Sequence, residues 1–413
     1  MGIRLRLSVM MFLQYFVWGA WFVTLGTFLT EGLAFEGGQV GRAYGAMAIG
    51  AMVSPFFVGM FADRFFATER ILGVLHLIGG GLLIYAAERL TTFGPMYGVL
   101  IAYALCYMPT LALTNSLSFQ HLVDTKRDFP GVRVIGTIGW ILAGIAINVF
   151  SLPEGSNQPM LMAGISSCVL GAYCFFLPHT PPQKSSGDGG SFLGLDSLFL
   201  LKEPSFAIFI IGSLLICIPL QFYYTWTNPY LNELKIGDAA SLMTWGQGSE
   251  IFFMLLMPLF FRRLGVKMML VVGMTAWTAR YFLFNQGFSP ELGGGVSWTG
   301  STLWSNPQFL MIFTGILLHG ICYDFFFVTG QIYVDHKAPA RVRASAQGFI
   351  AFITLGVGMF IGAEVSGKVV EHYTTEDLAH LWDKIWLVPA IGAGIILAMF
   401  AFGFRDNDSS IRE

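Results

Sequence analysis

Two carboxylic acids stand where acids are expensive. Glu250 lies in TWGQGSEIFF and Asp324 in LLHGICYDFFFVTG, both inside long apolar runs, and neither has a Lys or Arg within one helical turn in sequence. An ionisable residue inside a membrane span costs about 2.5–3.5 kcal/mol on insertion scales, so its presence points to function. The plainer alternative is a carboxylate paired structurally between packed helices, but two such acids in one half of the chain favour transport chemistry. Burial favours the protonated form of a carboxyl and a nearby cation favours the ionised one. An acid of this kind can load a proton on one side of a membrane and release it on the other. Asp324, flanked by Tyr323, Phe325 and Phe326, is the first choice for such coupling and Glu250 the second; the two can titrate as a pair.

Other polar and aromatic residues group at helical spacing. Arg133, Thr137 and Trp140 share one stripe, as do Gln14, Trp18 and Trp21. Gln221 pairs with Tyr224 and Gln247 with Glu250 at i and i+3, while His319, Tyr323 and Phe327 form a stripe beside Asp324. Ordinary helix packing would also produce aromatic stripes, and Arg133 could be a cation snorkelling to a helix end. His319 alone would more often be a satisfied packing residue than a proton relay. Amides, two acids, one cation and several aromatic faces suit a ligand with a planar π-face and several hydroxyls. A sugar alone would also fit.

These residues need membrane helices to hold them. The 413 residues are 55% apolar, 15% aromatic and only 12% charged, about half the charge of a soluble domain. The apolar residues fall into about twelve windows: 7–29, 40–62, 70–88, 94–119, 131–151, 158–178, 205–231, 240–261, 266–286, 308–332, 343–368 and 382–404. Each can cross a ~30 Å hydrocarbon layer as a helix. The longest polar joint, 179–203, splits them into six-helix halves at 1–178 and 204–413, and 287–307 is a second long joint of turn-forming residues. A net charge of −2 excludes a basic nucleic-acid surface. Cys106, Cys168, Cys174, Cys217 and Cys322 lie in apolar blocks without CxxC spacing, so neither a zinc site nor a disulfide framework is indicated. The basic start before the first window resembles a signal peptide but lacks a small-residue cleavage site, so the window is expected to be retained.

With both termini and the even-numbered joints in the cytoplasm, that side holds 17 of the 23 basic residues; Arg42, Arg89, Lys235, Arg280, Lys368 and Lys384 fall on the other. Cationic loops resist export, so both termini are expected inside. An echo links the halves: Gly59-Met-Phe-Ala-Asp63-Arg64 follows the second window and Pro258-Leu-Phe-Phe-Arg262-Arg263 the eighth. The first resembles the major facilitator loop motif G-x-x-[AGS]-D-R-x-G-R-R at Gly59, Ala62, Asp63 and Arg64, then departs with Phe66, Ala67 and Thr68. A gating role is expected for Asp63 and Arg64, although an Asp-Arg turn can also be a simple helix cap. Major facilitators pair two six-helix halves around a mid-membrane site.

The segments FLQYFVWGAWFVTLGTF (12–28), YMPTLALTNSLSF (107–119), DFPGVRVIGTIGW (128–140), YDFFFVTGQIYV (323–334), RASAQGF (343–349) and SGKVVEHY (366–373) resemble the bacterial nucleoside:proton symporter family of the major facilitator superfamily. The resemblance runs from the first window to the last. It implies a twelve-helix symporter in the bacterial inner membrane that works as a monomer, imports nucleosides with protons by alternating access and needs no cofactor. It further implies that Arg133, Thr137, Gln221, Gln247, Glu250 and Asp324 hold the nucleoside, with aromatics at Trp140 and Tyr323. Tyr224 stands where well-known members carry Asn, His319 where they carry Tyr and Phe327 where they carry Asn, which bears on substrate range.

Two other function classes compete. A sugar symporter on the same fold would show uptake that free ribose or glucose competes away. A membrane enzyme would need a nucleophile or metal set, yet the chain holds no HExxH or GxSxG, and its seven histidines are scattered, most of them expected in joints. There is no Walker A motif to drive transport with ATP.

Overall fold

The computed structural model describes residues 2–57, 67–181, 195–290, 292–339 and 342–405. It forms two compact units, Met1–Gly189 and Gly190–Glu413. Within the described residues the structure is helical, with two isolated β-bridges in loops.

The first unit contains α1 (Ile3–Gly32), α2 (Gly37–Phe57), α3 (Thr68–Arg89), α4 (Phe93–His121), α5 (Thr125–Val149) and α6 (Gln158–Cys174). α1 packs along α5 and α6, α3 along α4 and α6, and α2 along α4. Leu7, Met10, Leu72, Leu113, Val132 and Leu170 close its core. α5 starts where the Asp124 carboxylate accepts the Arg127 N–H, satisfying one of the free donors of a first helical turn.

The second unit contains α7 (Pro204–Glu233), α8 (Ala239–Gln286), α9 (Pro307–Lys337), α10 (Ser345–His372) and α11 (Trp382–Gly403). α8 packs on α9 and α11, and α7 on α10 and α11. The two expected windows, 240–261 and 266–286, are two helical segments that meet at a kink at Gly265; α8 names the pair, Ala239–Gln286. There φ is 69°, which a side-chain-bearing residue adopts only at a cost, so the glycine makes the bend.

Among the described residues eight helices are long and apolar enough to cross a membrane: α1, α3, α4, α5, α7, α9, α10 and α11. Bulky apolar side chains such as Ile78, Ile211, Leu255 and Ile395 point outward from the helices. Water would penalise such a surface and lipid does not.

The joint 179–203 carries some order of its own: Thr180 is buried, with its N–H on the Glu69 carboxylate at 2.9 Å, and Leu195–Lys202 forms a 3-10 helix against α7. One expectation needs correcting: most histidines do not lie in joints, since His76, His121, His319, His336 and His372 stand on helices. Asp63 and Arg64 lie outside the described residues.

Candidate substrate and proton site

In the first unit the Arg133 stripe rides on α5 where it meets α1. The Arg133 guanidinium lies 4.1 Å above the Tyr15 ring. Gly136 makes room for that ring, because a Cβ there would come within 2.6 Å of it. Trp140 meets Trp18 edge to face at 5.5 Å, and Trp18 meets Tyr107 in the same way at 5.7 Å. Arg133, Thr137 and Trp140 are all half-buried on one face, as the spacing predicts.

Behind this stripe lies a satisfied polar network. The Gln14 amide nitrogen donates to the Thr110 hydroxyl at 2.7 Å, and its carbonyl oxygen meets His76 Nε2 at 2.8 Å. His76 Nδ1 lies 3.0 Å from the Ser167 hydroxyl, and the Tyr107 hydroxyl donates to the Gln14 backbone carbonyl at 2.6 Å. Gln14 and His76 are buried, and both ring nitrogens of His76 are used. This is how polar groups survive inside a membrane protein: each finds a partner on another helix.

The second unit is arranged differently. The α-helical run Pro307–Leu317 ends, a short turn His319–Tyr323 follows, and Asp324–Val328 is wound as a π-helix. A π-turn leaves backbone groups out of the regular ladder. α8 supplies donors to three carbonyls around this break. Arg280 Nε reaches Gly315 at 3.0 Å, the Ser249 hydroxyl reaches Leu317 at 2.7 Å, and Trp277 Nε1 reaches Cys322 at 3.1 Å. Ser249 also accepts the Gly320 N–H at 2.9 Å. Gly320 permits this contact, since a Cβ there would lie 2.7 Å from the Glu250 nitrogen.

Most of the predicted residues of the second half gather around that break. His319 is buried and stacks on Tyr223 at 5.0 Å, with its Nε2 3.8 Å from the half-buried Glu250 carboxylate. Tyr224 meets the same imidazole edge-on at 6.2 Å, and Tyr323 lies 6.0 Å from it. Asp324 is fully buried, and neither carboxyl oxygen has a hydrogen-bond partner among the described residues. Glu250 is the acid whose charge acts on it. A cavity of about 70 Å³ lies alongside, lined by Ser213, Tyr323, Phe326 and Phe327 among others. It has room for a few waters and is too small for a nucleoside.

The two glutamines differ in their setting. Gln221 is buried and spends its amide nitrogen on the Thr225 hydroxyl at 2.9 Å, one turn along α7. Gln247 is half-buried one turn before Glu250. Among the described residues no group of His, Cys, Asp and Glu could hold a metal ion.

Sequence reasoning missed Arg280, which it assigned to an outer face. The side chain is wholly buried on α8, stacked 4.1 Å from the Tyr223 ring and 4.9 Å from Trp277. It missed Ser249 as well; the adjacent Glu250 was the one hint in sequence.

The chain is similar to known proteins along almost its whole length. YegT of Escherichia coli (strain K12) is 41% identical over 98% of this chain and 95% of its own. The xanthosine permease of the same organism is 34% identical over 98% of this chain and 97% of its own. The crystal structure of the nucleoside transporter NupG superposes with a TM-score of 0.87 at 31% identity, covering 98% of this chain and all of that one. The family model for the nucleoside H+ symporter matches residues 1–409, and the chain belongs to that family.

Proposed function

We propose that the protein carries nucleosides across the cytoplasmic membrane together with protons, by alternating access. The observation that carries this reading is Asp324: a carboxylate out of water and without a hydrogen-bond partner among the described residues, beside Glu250 at a break in α9, in a chain of the nucleoside H+ symporter family. An acid so held is costly unless protonation is part of its work. Broken membrane helices are where secondary transporters bind substrate and coupling ions.

In this reading Arg133, Thr137 and Trp140 of the first unit and Gln221, Tyr224, Gln247, Glu250, His319, Tyr323 and Asp324 of the second contact the nucleoside. Asp324 and then Glu250 carry the proton, and Asp63 and Arg64 act in gating. The fold is completed as twelve crossings in two six-helix halves, with both termini in the cytoplasm, and the protein works as a monomer without a cofactor. The placement of 17 of 23 basic residues supports that orientation.

The test is uptake of labelled uridine, adenosine and xanthosine into proteoliposomes under an imposed inward proton gradient. Accumulation should collapse with a protonophore and should be competed by unlabelled nucleosides but not by free ribose or glucose. Competition by the free sugars would favour the sugar symporter. Gln247→Ala should weaken nucleoside uptake; unchanged uptake and binding would remove Gln247 from the site.

A further inference from the structure

Arg280 has no solvent exposure, and its Nη1 and Nη2 make no hydrogen bond of good geometry among the described residues, although the adjacent Tyr281 side chain interacts with the guanidinium. A guanidinium stays protonated in proteins, so α8 carries a permanent positive charge out of water. Such a charge is destabilising unless something nearby uses it. Its surroundings form an ordered stack. The guanidinium lies 4.1 Å from the Tyr223 ring, Tyr223 lies 5.0 Å from His319, and His319 Nε2 lies 3.8 Å from the Glu250 carboxylate. The same residue donates Nε to the Gly315 carbonyl at 3.0 Å, just before the break in α9.

The titratable neighbours of this stack are Tyr223 and Tyr224 on α7, Tyr281 and Glu250 on α8, and His319, Cys322, Tyr323 and Asp324 on α9. From α10 and α11 come Thr354 and Trp386, which do not titrate. Tyr and Cys are uncharged at neutral pH. The charged or chargeable groups among these neighbours therefore reduce to the two acids, the switchable His319 and the fixed Arg280; Glu250 acts on Asp324, and Arg280 acts on His319.

We propose that Arg280 is a positioning residue for proton coupling. Its fixed charge acts through the Tyr223–His319 stack on Glu250, and through Glu250 on Asp324, to set the pH at which the pair loads a proton, and its bond to Gly315 keeps the α9 break in register with them. This rests on the assignment of those two acids as the coupling pair.

The experiment compares Arg280→Lys, Arg280→Gln and Arg280→Met with the unaltered protein and with Asp324→Asn. All are reconstituted in proteoliposomes at equal amounts of folded protein. Uptake is followed against external pH, and nucleoside affinity is measured separately. A cation removed from the neighbourhood of an acid makes that acid easier to protonate. The Gln and Met variants should therefore move the external pH for half-maximal uptake upward by roughly half a unit or more. They should accumulate less substrate and change affinity by less than about threefold, a shift of under about 0.65 kcal/mol. The Lys variant, which keeps the charge, should follow the unaltered profile.

Identical profiles for the Lys and Gln variants, or an unmoved profile in folded Gln and Met variants, would overturn the proposal. So would failure of the uncharged variants, or of all three, to fold, because the charge would then serve stability alone. Gradient-driven accumulation by Asp324→Asn would instead overturn the assignment of the coupling acid, a result separable from all of these.

Discussion

The two units handle buried polarity in opposite ways. In the first, Gln14, His76, Thr110 and Ser167 close a network in which each side chain has a partner on another helix. In the second, Asp324 and the Arg280 Nη groups lie buried without a hydrogen bond of good geometry among the described residues, around a helix that has lost its regular winding. A satisfied network rigidifies, whereas a buried carboxyl without a partner, such as Asp324, is poised to take up or lose a proton. In the proposed reading the first unit is the fixed part and the second the part that responds to protons.

The sharpest way to break this comparison is to remove the charge of Asp324 while keeping its shape. Asp324→Asn should abolish accumulation driven by a pH gradient, while exchange of internal for external nucleoside survives in part, because exchange needs no net proton movement. Counterflow and gradient-driven uptake measured on the same vesicles check this. An Asn variant that still concentrates nucleoside transfers the role to Glu250.

Ser249 comes next. Its hydroxyl serves the Leu317 carbonyl and the Gly320 N–H at the break in α9. Ser249→Ala leaves both in a place water reaches poorly, at a cost of about 1–3 kcal/mol. The melting temperature in detergent should fall and uptake should drop several-fold, whereas Ser249→Thr, which keeps the hydroxyl, should do less harm. Equal behaviour of the two variants would mean that the break does not depend on this bond.

A change in the first unit should separate stability from coupling. His76→Leu removes the ring that meets the Gln14 side-chain oxygen and the Ser167 hydroxyl, while Ser167 keeps its bond to the backbone carbonyl of residue 76, and an unsatisfied buried group such as that Gln14 oxygen costs about 1–3 kcal/mol. The protein should melt earlier, yet the accumulation ratio at a given gradient should match that of the unaltered protein. A lower ratio at equal folded protein would make the first unit part of the proton path.

How far these features were legible in the sequence follows from their physics. Glu250 and Asp324 were legible because an acid in an apolar run is costly wherever its partners lie. The α5 stripe was legible because Arg133, Thr137 and Trp140 repeat at helical spacing. The break in α9 was not, since LLHGICYD carries no proline and its distortion is held by Ser249, Trp277 and Arg280 from another helix. Arg280 stands near the end of its window, where a cation usually reaches for water, and only the fold shows it turned inward. The His76 network joins residues 62 and 91 positions apart, so no local pattern announces it.

The smallest effect expected is on recognition in the first unit. Arg133 is held over the Tyr15 ring at 4.1 Å, and Gly136 leaves the space that ring needs. A cation over an aromatic face gains about 0.5–1 kcal/mol at a site water can reach. Tyr15→Leu keeps an apolar side chain against α5 but removes the face, so Arg133 would sample more orientations. An energy of that size corresponds to roughly a two- to fivefold rise in KM for nucleoside. The maximal rate and the dependence on the proton gradient should stay unchanged, because Tyr15 is not among the residues proposed to carry the proton. Uptake kinetics at two gradients distinguish the cases. A change in KM alone would keep Arg133 as a recognition group on a fixed wall, whereas a changed gradient dependence would show that the first unit also takes part in the proton cycle.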